Sequence, residues 1–199
     1  ATDSWYAGGE WFILYYEYTS SRDRLLWIDD IIIDGVFRDD TSPPPGTGDI
    51  IISEIMADPS PVVSLPASEY LEIFNKSPNA ISLENWSLSA GTQDYPFPPV
   101  MIGPHEYMTV CHSQDAPLLS VYGNVTGFKS FPLLTDGGKL LALTDDSGNL
   151  IDGIEYSSAW YNDVLKSDGG WSLEIIDNSY PFSGEDNWKA SASRKGGTP

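Results

Sequence analysis

The sequence is poor in the residues that reactive sites most often use. It contains one cysteine and two histidines in 199 residues. Cys111 alone can form neither an internal disulfide nor a thiolate metal cluster. His105 follows Gly103-Pro104 in a turn-like stretch, and His112 ends an apolar run beside Cys111. Neither stands in a nucleophile-elbow or zinc-ligand spacing. Carboxylates are so abundant that a pair at glycosidase separation could arise by chance, and nothing in the pattern singles one out. The chain therefore reads as non-enzymatic.

Positive charge is scarce too. Ten Lys and Arg face twenty-nine Asp and Glu, a net charge of −19, and between Arg38 and Lys129 the one basic residue is Lys76. Such a surface repels phosphate backbones, which argues against direct nucleic-acid binding. It repels anionic lipid headgroups as well. It attracts cations, or it serves solubility alone. No apolar run reaches the roughly eighteen residues of a membrane-spanning helix, so no direct membrane insertion is expected.

What is present is aromatic and strand-like. Seven Trp and eleven Tyr within a 41% hydrophobic composition fit a folded chain with a sizeable core. The strongest boundary is the proline-rich stretch Asp39-Asp40-Thr41-Ser42-Pro43-Pro44-Pro45-Gly46-Thr47-Gly48-Asp49. Three consecutive prolines remove backbone donors and cannot sit inside a sheet, so residues 41–48 read as a linker. Before it, the apolar runs Glu10–Tyr18 and Leu25–Ile33 flank the polar turn Thr19–Arg24 and predict a β-hairpin within residues 1–40. Two strands alone are marginal in water. The hairpin is therefore expected to pack on the second domain or on a neighbouring chain, or to be the end of an upstream sandwich.

Beyond the linker, residues 49–199 carry short apolar runs separated by turn signals. Strands are predicted at Asp49–Met56, Glu69–Asn75, Ile81–Leu83, Trp86–Ser89, Tyr107–Cys111, Lys139–Thr144, Leu150–Tyr156 and Trp171–Ile175. Asp145-Asp146-Ser147-Gly148-Asn149 forms the turn of a hairpin. Asp115–Tyr122 alone looks helical, with Ser113 as N-cap and Gly123 as stop. The fold class is all-β, a sandwich in preference to a barrel.

Several of these runs carry a family resemblance. Ile52-Ser53-Glu54-Ile55-Met56-Ala57-Asp58-Pro59 is followed by Glu69-Tyr70-Leu71-Glu72-Ile73-Phe74-Asn75, then by Ile81 to Leu88 with Trp86. Leu150-Ile151-Asp152, Gly170-Trp171-Ser172-Leu173-Glu174, Trp188 and Gly196-Gly197-Thr198-Pro199 follow in order. In order and spacing, residues 49–199 resemble a lamin-tail domain, in the branch found in secreted and surface proteins of Bacteroides-like bacteria. The resemblance implies an immunoglobulin-like β-sandwich, a binding, adhesion or scaffold role, and an extracytoplasmic location: secreted, periplasmic or cell-surface. It also leaves two alternatives, a carbohydrate-binding module, possibly calcium-assisted, and an accessory domain of an exported hydrolase. The filament role of animal relatives does not carry over, because the chain has no heptad rod. Tyr18 to Arg22 with Trp27 to Ile31 resembles the last strands of a jelly-roll, carbohydrate-binding-like domain.

Candidate sites follow from composition. Calcium wants several carboxylate and carbonyl oxygens. Asp29 and Asp30 (with Asp34), Asp39/Asp40, and Asp145/Asp146/Asn149 qualify. The last group lacks the ligand alternation of an EF-hand and reads equally as a polar turn. Adjacent Asp29 and Asp30 in an apolar strand need partners if buried, and Arg22 or Arg24 could supply them. Trp86, Trp171 and Trp188 read as core. Trp160 and Tyr161, in the loop Ser157–Gly170, are the exposed-aromatic candidates for a glycan or protein ligand. Asn75, Asn85 and Asn124 head glycosylation sequons, which matter only in a eukaryotic secretory route.

Overall fold

The computed structural model describes residues 4–8, 11–15 and 44–199. The chain divides into two compact units, Ala1–Thr41 and Ser42–Pro199. In the first, β1 (Ser4–Gly8) pairs antiparallel with β2 (Trp11–Tyr15), from Ser4 opposite Tyr15 to Gly8 opposite Trp11. The predicted run Glu10–Tyr18 thus supplies a strand, but its partner here is the segment before it. The expected partner Leu25–Ile33 lies outside the described residues, and so do Asp29 and Asp30.

The second unit runs β3 (Ile50–Met56), β4 (Tyr70–Asn75), β5 (Ile81–Ser82), β6 (Ser87–Ala90), β7 (Gln93–Pro96), β8 (Met101–Ile102) and β9 (Tyr107–His112). Then come α1 (Ala116–Leu119), β10 (Val125–Phe128), β11 (Gly138–Thr144), β12 (Leu150–Ser157), β13 (Leu173–Ile175) and β14 (Trp188–Ala190). One sheet has the order β10-β9-β4-β3-β13-β14 and the other β12-β11-β6-β7, while β5 and β8 form a short pair. Strands β9 and β10 are parallel, and parallel neighbours need a crossover, which the α1 segment provides.

The alternating faces of the two sheets explain the core. Ile73, Met108, Val110 and Leu173 from the first meet Leu88, Leu141, Leu143 and Ile151 from the second in one buried cluster, with Trp86 and Trp188. Two sheets closed over one interior make the expected immunoglobulin-like β-sandwich. Trp171 is only partly buried at its margin.

The helix is shorter than its sequence pattern. Pro117 lies at the first turn, which fits the start of a helix, but Asp115 and not Ser113 is the N-cap, and its side chain makes no cap bond. The helix stops at Leu119, with Ser120 as C-cap, well before Gly123.

Candidate functional site

The most unusual chemistry lies on the outer face of the six-stranded sheet. Strict alternation along Ile50-Ile51-Ile52-Ser53-Glu54-Ile55 would put Glu54 on the core side with Ile50 and Ile52. A β-bulge at Ser53 prevents this: Ile52 pairs with Ile73, and Glu54 pairs with Glu72. Ile55 turns inward in place of Glu54, and Glu54 faces out. The bulge is pinned from the other sheet, where the Asp152 carboxylate on β12 accepts the Ile52 N–H at 2.7 Å.

With that register, the outer face carries three rows. Met56, Tyr70 and Cys111 form an apolar row that packs with Leu65 and with Leu119 of α1. Phe74 and Tyr107 stack at 4.3 Å in a second, aromatic row. Between them, Thr109, Glu72, Glu54, Glu174 and Lys189 follow one another on β9, β4, β3, β13 and β14. Three carboxylates are therefore neighbours in register.

Glu54 is 1% exposed and Glu72 7% exposed. An ionised carboxylate so placed needs compensation. Glu54 has it: Oε1 accepts from Tyr70 O–H at 2.5 Å and Thr198 N–H at 3.0 Å, and Oε2 accepts from Thr198 O–H at 3.1 Å. Glu72 has less, a single bond from Ser53 O–H at 2.7 Å. Burial pushes Glu72 up to about 8, and the Glu54 charge adds to the shift. Burial raises Glu54 too, against the pull of its donors, and it raises Tyr70 far above the usual phenol range. Among the described residues, the charges acting on Glu54 and Glu72 are those of other carboxylates. The row thus places its charge on Glu54, where the donors are, and a proton on Glu72. It borders a cleft of about 370 Å³ lined by Glu54, Glu72, Glu174, Tyr107, Asn178 and Thr198.

This arrangement can bind and release a proton, but it presents no activated nucleophile. Cys111 is buried, and burial pushes its thiol up to about 12, where little thiolate exists at neutral pH. His112 Nδ1 accepts the Gln114 N–H at 3.2 Å, and His105 is exposed with a φ of 56°.

The residues chosen from composition behave differently. Asp145 is buried, and its carboxylate accepts from the backbone N–H of Ser147 at 3.0 Å, from that of Asn149 at 2.7 Å and from Asn149 Nδ2 at 2.9 Å. The Asn149 side chain, with the turn amides behind it, holds this carboxyl below the usual aspartate range. Asp146 interacts with the Ser147 hydroxyl at 3.4 Å. The oxygens of Asp145 are spent on closing the turn. Among the described residues, no three His, Cys, Asp or Glu side chains are grouped to hold a metal ion.

Trp160 and Tyr161 require a correction. They lie on a 3₁₀ turn, Ser158–Tyr161, and not on an open loop. Tyr161 is 7% exposed, and its hydroxyl donates to the Trp171 carbonyl at 2.8 Å. Trp160 packs on the core margin, its ring 6.3 Å from that of Trp188. Trp188 and Trp171 come from the sequence after this turn and draw both aromatics inward. No stacking platform remains on Tyr161.

The glutamate row was missed by composition, yet its signal was present. Glu54 and Glu72 each interrupt an apolar strand, the same argument applied to Asp29 and Asp30. A family model described as Lamin Tail Domain matches residues 43–158. No curated protein matches the chain. The match includes Glu54, Tyr70, Glu72 and Asp152, while Glu174 and Thr198 lie beyond it.

Proposed function

The chain belongs to the lamin tail domain family, and from that premise we propose that it is a binding, adhesion or scaffold module of an exported bacterial protein, without an activity of its own. Immunoglobulin-like domains of this family are generally non-catalytic modules. One observation carries the reading for this chain. In the group most like an active site, the Glu54 carboxylate is taken up by Tyr70 and the chain's own Thr198, and Glu72 is bonded by Ser53.

The net charge of −19 favours a cationic partner surface. Such an encounter is steered by long-range attraction and slows as salt is added. The test uses the purified chain immobilised against envelope proteins of the source bacterium. The expected result is retention of a basic partner that weakens between low and physiological salt. The same preparation is expected to give no turnover on ester, phosphate and glycoside substrates. Turnover that disappears in Glu72→Gln would overturn the non-catalytic reading. Recovery of the native protein solely in the cytosol would overturn the exported one.

A further inference from the structure

The last turn of the described chain lies across the glutamate row. Ser191 N–H donates to the Ser172 carbonyl at 2.9 Å, and Ser172 N–H donates to the Gly196 carbonyl at 2.8 Å. Gly196 has a φ of 97°, which few side chains tolerate. A Cβ on Gly197 would meet the Tyr70 hydroxyl and lie 2.5 Å from Glu54 Oε1. These two glycines let the backbone lie flat on the sheet, so that Thr198 N–H and O–H reach Glu54. Thr198 Oγ1 also stands 3.2 Å from Glu174 Oε1. Gly197 and Thr198, at the end of the segment 193–198, therefore roof one end of the acidic cleft.

We propose that this segment is a strap held shut by one proton in the row beneath it, and that loss of the proton releases the strap and opens the outer face of the sheet. The cause is electrostatic. With Glu72 neutral, one buried charge on Glu54 is met by Tyr70 and Thr198. When Glu72 ionises, two carboxylates that are register neighbours both carry charge at low dielectric, with Glu174 beside them. Water relieves this repulsion most directly by entering where Thr198 now sits. The shut strap thus holds the proton more tightly than the open one, and by linkage the strap opens as pH rises through the Glu72 value.

The groups facing the row come from each element packed there. Strand β3 gives Glu54, β4 gives Tyr70 and Glu72, β9 gives Tyr107, and β13 gives Glu174. Strand β14 gives Lys189, exposed at the open end of the row. From the segment after β13, Asn178 Nδ2 donates to the Tyr107 hydroxyl at 2.9 Å, and Asp177 accepts from Ser179 N–H at 2.8 Å. In the strap, Arg194 and Lys195 are exposed, and the Lys195 ammonium lies 5.9 Å from the Tyr122 ring centroid. The titrating pair is thus Glu72 and Glu54. Asp152, pushed up to about 6, titrates below the window used here.

Amide hydrogen exchange of the full chain between about pH 7 and about pH 9, corrected for intrinsic base catalysis, tests this. Protection of the Ser172 and Thr198 amides is expected to fall about ten-fold, the change for one proton across this range, while the Leu71 and Ile73 amides hold. In Glu72→Gln the fall disappears and protection stays high. Wild-type protection independent of pH would overturn the proposal, whether or not the variant folds. So would an equal fall in both proteins, or loss of protection at Leu71 and Ile73 in step with Thr198.

Discussion

The Asp152 carboxylate reaches from one sheet to the other to accept the N–H of Ile52, and in doing so it fixes the bulge that turns Glu54 outward. Asp152→Ala leaves a buried amide without a partner. The expected loss is about 1–3 kcal/mol, read as a lower urea midpoint at constant slope. Burial raises Asp152 to about 6 and Glu72 to about 8. A carboxyl raised on folding stabilises fully below its unfolded value and loses that contribution as pH climbs through the folded one. Stability is therefore expected to decline from about pH 5 to about pH 8.5, the opposite of ordinary surface aspartates. Asp145, held low, contributes above the usual aspartate value and fades only in more acid solution, so it does not cancel the trend. Urea midpoints across this range check the sign, and a rise toward pH 8.5 would contradict the assignment of both protons.

At the scale of elements, the long alternating strands were legible. β3, β4, β9, β11 and β12 start and stop within one residue of their apolar runs. β7 was not, because Gln93-Asp94-Tyr95-Pro96 has neither apolar alternation nor a β-branched residue, and its strand state comes from pairing with β6. β10 contains Gly127 and depends on the crossover to place it beside β9. The bulge was invisible for a different reason: its cause, Asp152, lies 100 residues away in sequence. Trp160 and Tyr161 fail by the same route, since their partners Trp188 and Trp171 are brought in only by the fold. The β11–β12 turn is the counter-example, a local signal with a local cause. Asp145→Ala removes the acceptor for three donors there. It is expected to lower the midpoint of thermal unfolding. Asn149→Ala, which removes one of the three, should cost less.

For the whole molecule, the question is how much of the chain is needed to make the sandwich. Among the described residues, every ladder partner of β3 to β14 lies between Ile50 and Ala190, and the main core draws on both sheets within that span. The strap bonds back onto Glu54 and Ser172 inside the same unit. The unit Ser42–Pro199 therefore contains all the burial and backbone pairing described for it, and a chain of this size can hold a cooperative core. Residues 42–199 expressed alone are expected to give one unfolding transition, with the near-ultraviolet signal of fixed Trp86 and Trp188 lost in step with the backbone signal. The urea midpoint of that transition is expected to match the sandwich transition of the full chain, because the strand partners described for β3 to β14 all lie within Ser42–Pro199. Separate transitions by the two probes, or dye binding typical of a loosely packed state, would mean that the sandwich needs the first unit to order its core.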